Sequence, residues 1–95
     1  MKVLVIYDIT ENDLREHVAK KLKSMGLTRI QKSAFIGYLD SSARKDLKRW
    51  IQRQIQGHKA NVQFYPLCRY CYSQREEVGV PTVEESLLRS EIVVV

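Results

Sequence analysis

The stretch T-R-I-Q-K-S-A-F-I-G-Y-L, residues 28–39, decides the fold. It holds no apolar stripe at helical spacing, and β-forming side chains run through it. It is too long for one ordinary strand of about 5–6 residues. The reading is therefore two strands, roughly 28–32 and 34–39, with a reversal or bulge near Ser33. Working back toward the start, Gly26 supplies a helix stop, and Leu14, Val18, Leu22 and Met25 form one apolar helical stripe. Thr10-Glu11-Asn12-Asp13 is rich in helix-starting and acidic groups suited to a helix N-terminus. Before it, Lys2 to Tyr7 is aliphatic and β-branched, as expected of a central strand covered on both faces or lying at an interface.

Working forward, Asp40-Ser41-Ser42 is an N-cap cluster. Leu47, Trp50 (or Ile51) and Ile55 give the second helix its apolar stripe, and Gly57 ends it. Arg44, Lys45, Lys48, Arg49 and Arg53 occupy the other faces of that helix. Asn61 to Leu67 alternates as a fourth strand, and Pro66 assigns it to a sheet edge or marks its end. The order is β-α-β-β-α-β. The simplest way to bury both stripes is an α+β, ferredoxin-like sandwich, two helices on one face of a four-stranded antiparallel sheet.

The fold thus occupies residues 1–70, and residues 71–95 form a polar, acidic arm broken by Gly79 and Pro81. That arm closes on Ile92-Val93-Val94-Val95, four apolar β-formers that must pair with a sheet edge. Exchange of this strand within a homodimer is the favoured expectation; docking onto the chain's own sheet is the alternative.

The 95 residues carry a net charge of +5. Residues 1–59 hold 13 Lys and Arg against 6 Asp and Glu, whereas residues 60–95 hold 3 against 5. A basic body of this kind suits a polyanionic partner such as nucleic acid, although a merely solvated basic surface has the same composition. No apolar run approaches a membrane span, and the first strand is too short for a signal peptide, so the expected location is cytoplasmic. Cys68 and Cys71 form a single CRYC. A zinc site would need His17 and His58 as well. A redox pair normally starts a helix, whereas this one follows a strand, so two reduced cysteines near a core edge are expected.

The first strand runs into one carboxylate, Asp8. Nearby Glu11, Asp13 and Glu16 lie in the first turns of a helix and suit its dipole. A lone aspartate can cap or accept turn hydrogen bonds. Alternatively, a twofold axis beside the first strand would pair it with its symmetry mate, and the pair could hold one Mg2+ against a phosphodiester. Arg15 and Arg29 suit either phosphate contacts or ordinary ion pairs. Tyr7 and Phe35 suit either base stacking or the core. His17 lies close to the first helical stripe, as a general acid–base or a packed side chain.

Taken jointly, these residues resemble a known family. Leu4-Val5-Ile6-Tyr7-Asp8-Ile9 is followed by Arg15 and by G-x-x-R-x-Q-x-S-x-F-x-G from Gly26 through Arg29, Gln31, Ser33 and Phe35 to Gly37. This is similar to the CRISPR-associated protein 2 family, the small subunit of the bacterial and archaeal spacer-acquisition machinery. The resemblance implies a ferredoxin-like fold and a homodimer in which each C-terminal segment adds to the partner's sheet. It implies an Mg2+-dependent endonuclease acting on single-stranded RNA or double-stranded DNA, the metal being held by Asp8 of both subunits. By the same match Tyr7, Arg15, Arg29, Ser33 and Phe35 are expected to contact substrate. The alternative role it implies is a non-catalytic DNA adaptor bridging dimers of the CRISPR-associated integrase protein 1. The chain departs from the pattern at His17, where many relatives carry a second basic residue, and in the CRYC pair and the acidic tail.

Overall fold

The computed structural model describes residues 1–80. The elements are β1 (Lys2–Ile9), α1 (Asn12–Ser24), β2 (Thr28–Gln31), β3 (Ala34–Tyr38), α2 (Ser41–Ile55), β4 (Ala60–Leu67) and α3 (Arg69–Ser73). The strands form one sheet in the order β2-β3-β1-β4, every neighbouring pair antiparallel. This is the ferredoxin-like arrangement. Each helix connects two strands that run parallel with a third strand inserted between them, so both helices pack on one face.

Residues 28–39 do split into two strands, with a register shift between Arg29 and Gln31 and a turn at Lys32 and Ser33. The shift lies earlier than Ser33, which remains in the reversal itself. β4 is an edge strand, consistent with Pro66 lacking a donor. The strand pairing anticipated for Ile92–Val95 lies outside the described residues.

Local chemistry fixes the element ends. Gly26 adopts a left-handed conformation with φ of +86°. Its N–H donates to the Lys23 carbonyl at 3.0 Å, and the Leu27 N–H donates to the Leu22 carbonyl at 3.1 Å, which together close α1 as a Schellman turn. Leu22 and Leu27, the apolar pair of that turn, are both buried. Gly37 on β3 packs against the same turn. A Cβ there would lie 3.1 Å from the Leu27 Cα and 3.2 Å from the Gly26 carbonyl oxygen. At the start of α2, the Asp40 carboxylate accepts the Ala43 N–H at 2.7 Å, as the sequence implied. The start of α1 differs. Glu11 is its N-cap residue but makes no side-chain cap; its carboxylate instead lies 2.7 Å from Nδ1 of His58, across in the α2–β4 turn.

The core joins Val3, Val5, Tyr7 and Ile9 of β1 and Phe35 of β3 to Leu14, Val18, Ala19 and Leu22 of α1 and Leu47 and Ile51 of α2. Trp50 is only partly buried, so Ile51 carries the second stripe at that turn. Among the described residues β1 is fully buried only on the face toward the helices, which leaves the interface alternative for its other face. On its other face Lys2, Leu4 and Ile6 are half-buried and Asp8 is exposed.

Candidate functional site

β1 does not stop at Tyr7. The ladder with β4 continues through Asp8↔Asn61 and Ile9↔Ala60, placing Asp8 inside the strand on the face away from the helices. The residues on either side of it are both tied down. Tyr7 donates its backbone N–H to the Ser33 carbonyl at 2.9 Å and its phenol to the Lys32 carbonyl at 3.2 Å. The Ile9 carbonyl accepts Nη1 of Arg15 at 3.0 Å, and the other arm of that guanidinium is held by Oδ1 of Asn12. The end of β1 is thereby joined both to the 32–33 turn and to the first turns of α1.

Those two attachments converge on a cavity of about 410 Å³ lined by Arg15, Glu16, Arg29, Lys32 and Ser33. Arg29 reaches it from β2 with its guanidinium carbon 5.0 Å from the centre of the Phe35 ring, a cation–π contact. Its Nε is buried and has no hydrogen-bond partner among the described residues. A buried donor left unpaired costs about 1–3 kcal/mol. Three cations, Arg15, Arg29 and Lys32, against the single carboxylate of Glu16 give the hollow a net positive lining.

Of the residues expected to contact substrate, Arg15, Arg29 and Ser33 come together here. Tyr7 and Phe35 do not present a face for a base: Tyr7 is 5% exposed, Phe35 is fully buried, and their rings stack at 6.3 Å and 24°. They support the site from below, Tyr7 through the 32–33 turn and Phe35 under Arg29. Asp8 is not in the cavity lining. His17 is exposed at 5.0 Å from the Trp50 ring, on another part of the α1 surface.

Of the other lining residues, Glu16 was read only as a partner for the helix dipole, and Lys32 escaped the sequence reading. Lys32 would have been found by placing it with Ser33 in the reversal. Asn61, directly across from Asp8, escaped as well, because only the β1–β4 register reveals it. Asn61 belongs to a polar row on the exposed face of β4: Tyr65 hydroxyl to Gln63 Oε1, then Gln63 Nε2 to Asn61 Oδ1 at 2.9 Å.

Among the described residues no set of three His, Cys, Asp or Glu side chains could hold a metal ion. Among the same residues, no helix is long and apolar enough to cross a membrane.

Fold and cavity together define a ferredoxin-like domain with a cation-lined hollow beside the end of its central strand. The family model described as CRISPR associated protein Cas2 matches residues 1–75. Similar proteins include the CRISPR-associated endoribonuclease Cas2 of Korarchaeum cryptofilum, 42% identical over 79 residues, which are 83% of this chain and 85% of that protein. A CRISPR-associated endonuclease Cas1/endonuclease Cas2 fusion of Thermoproteus tenax is 43% identical over 65 residues, 68% of this chain and 25% of the fusion. Among solved structures, that of Streptococcus pyogenes Cas2 at pH 6.5 matches with a TM-score of 0.72 and 27% identity, covering 83% of this chain and 100% of that one. The chain belongs to the CRISPR-associated protein Cas2 family.

Proposed function

We propose that this chain serves CRISPR spacer acquisition as a homodimeric, Mg2+-dependent endonuclease on RNA or DNA, with Asp8 of both subunits sharing one ion. The observation that carries this reading is the anchoring of Tyr7 and Ile9. It makes the Asp8 backbone and the Arg15–Arg29–Lys32 cavity parts of one rigid unit, so a phosphate held by the cations keeps a fixed relation to the carboxylate. The uncovered sheet face supports the dimer: Leu4, Ile6 and Ile36 form its apolar centre, and Asp8 lies at one end. Packed sheets stand about 10 Å apart. A Mg2+ ion takes oxygens at about 2.0–2.1 Å, so two carboxylates facing across such a gap can share it. What the ion would supply there is an activated water; Arg15, Arg29 and Lys32 hold and neutralise the phosphate, and Ser33 offers it a hydroxyl donor. Relatives bearing the endoribonuclease name support nuclease chemistry.

A second reading, a DNA-holding adaptor for a Cas1-type integrase, is favoured by the exposed Lys45, Lys48, Arg49 and Arg53 of α2, and by the relative in which the two proteins are fused. Asp8→Asn distinguishes them. On the nuclease reading, Mg2+-dependent cleavage by the purified chain is lost while dimerisation and DNA binding persist. Cleavage equal to that of the unaltered chain would remove Asp8 from the chemistry.

A further inference from the structure

The CRYC pair follows a strand, as its sequence indicated, yet it also opens a helix. Cys68 is the residue that caps α3, its Sγ accepting the Cys71 N–H at 3.2 Å. A cap residue and the residue three places on lie on one turn, within the Cα separation of about 4.4–6.8 Å that a disulfide bridges. Both cysteines are free and exposed, and they are the only two in the chain. They are not equivalent. The hydrogen bond from the Cys71 N–H, followed by that from the Cys71 thiol, holds the Cys68 pKa below the usual thiol value. The same thiol contact and the negative charge of Cys68 raise that of Cys71. Cys68, whose sulfur accepts the Cys71 backbone N–H, is therefore the readier nucleophile of the two.

The surroundings differ too. Cys68 lines a depression of about 560 Å³ together with Lys2, Tyr38, Arg69 and Tyr72. Nζ of Lys2 lies 3.9 Å from the centre of the Tyr72 ring and 5.1 Å from that of Tyr38, which fastens α3 to β1 and puts a cation in the same depression. Cys71 lines a separate groove with Leu4, Ile36, Glu76 and Glu77 on the sheet face assigned above to the dimer, so incoming disulfides reach the pair from the Cys68 side.

We infer that Cys68 and Cys71 form a thiol–disulfide exchange site for carboxylate-bearing low-molecular-weight disulfides, with Cys68 attacking and Cys71 resolving. The Cys68 thiolate attacks one sulfur of R–S–S–R; the Cys68–S–R bond forms, the R–S–S–R bond breaks, and one RS⁻ leaves. Cys71 then gives up its proton to solvent, its sulfur attacks Sγ of Cys68, and the second RS⁻ leaves as the Cys68–Cys71 bond forms. The external disulfide takes two electrons from the dithiol, and the two protons released by the cysteines are taken up by the two RS⁻ groups. Lys2 and Arg69 attract the carboxylates of the incoming disulfide.

The test uses the full reduced chain and glutathione disulfide, followed by intact mass and thiol counting. The unaltered chain is expected to lose both thiols and two hydrogen masses with no adduct retained. Cys71→Ser should stop at a stable mixed disulfide on Cys68, and Cys68→Ser should react at Cys71 at least about tenfold more slowly near neutral pH. Serine also caps helices, so both variants are expected to keep the circular dichroism and melting temperature of the parent. Raising the ionic strength from about 10 mM to about 300 mM should slow the first step about threefold, as screening weakens the two cations. Equal rates for the two variants overturn the assignment of roles. Two retained adducts, or a disulfide between chains instead of within one, overturn the site. A salt-independent rate overturns the carboxylate preference.

Discussion

Replacing Arg29 with methionine separates a residue kept for a ligand from one kept for the fold. The unbranched stem is conserved, so most of the packing against Phe35 survives. The guanidinium contributes a cation–π contact of about 0.5–1 kcal/mol where exposed and about 2 where desolvated. Against this stands the buried Nε without a partner, which costs about 1–3 kcal/mol. The two nearly cancel, so the folded state should be changed by no more than about 1 kcal/mol. In a domain of this size that is a shift of about 4–8 °C at most in melting temperature, in either direction. Binding should respond far more. A hydrogen bond between charged groups is worth about 1.5–3 kcal/mol, equivalent to about 10- to 150-fold in affinity. Thermal unfolding and titration of a short duplex at fixed salt, on the same preparation, give both numbers. A large fall in melting temperature with unchanged affinity would refute the reasoning and make Arg29 a structural cation.

Gly37→Ala places a methyl group against the Leu27 backbone and the Gly26 carbonyl; overpacking of this kind costs about 1–3 kcal/mol, and calorimetry should show melting about 5–20 °C lower. An unchanged melting temperature would mean that the α1–β2 turn can move away from β3 at no cost. Ile6→Lys puts a charge at the centre of the uncovered sheet face, and sedimentation is expected to show monomers with native circular dichroism. A dimer that survives this substitution does not use that face.

The elements whose signals are local were legible. The absence of a helical stripe in residues 28–39, the Asp40 cap, Gly26 after a periodic segment and Pro66 at an edge each act within a turn or a strand, and each lies where the sequence put it. What depends on register was not. Asp8 looked like a strand end because a carboxylate is unexpected in an aliphatic run; the open face of the sheet accepts it there, and only the eight-position pairing with β4 shows that Asn61 faces it. Tyr7 and Phe35 read foremost as core, with a stacking surface as the alternative, since strand alternation leaves open which face the helices cover. The site was half visible for the same reason. Arg15, Arg29 and Ser33 stood out by type and spacing, whereas Glu16 and Lys32 joined them only through the way α1 crosses the 32–33 turn. The cysteines were dismissed because a strand precedes them, and a five-residue helix is too short to leave a periodic trace.

The strand order also dictates when the parts can exist during synthesis. β1 emerges first yet sits between β3 and β4, so every one of its ladder bonds waits for chain made later. The β2–β3 hairpin and the two helices can form from neighbouring residues, but the β1–β4 ladder cannot close until residue 67 has left the ribosome. Asn61 therefore takes its place across from Asp8 in the last pairing among the described strands. The cation cavity is lined by residues 15–33 and rests on Phe35, so it needs β3 but not β4 and can assemble earlier. A nascent or truncated chain can in this way complete its cation-lined hollow before the surroundings of its carboxylate, so the two halves of the proposed site mature at different moments of synthesis.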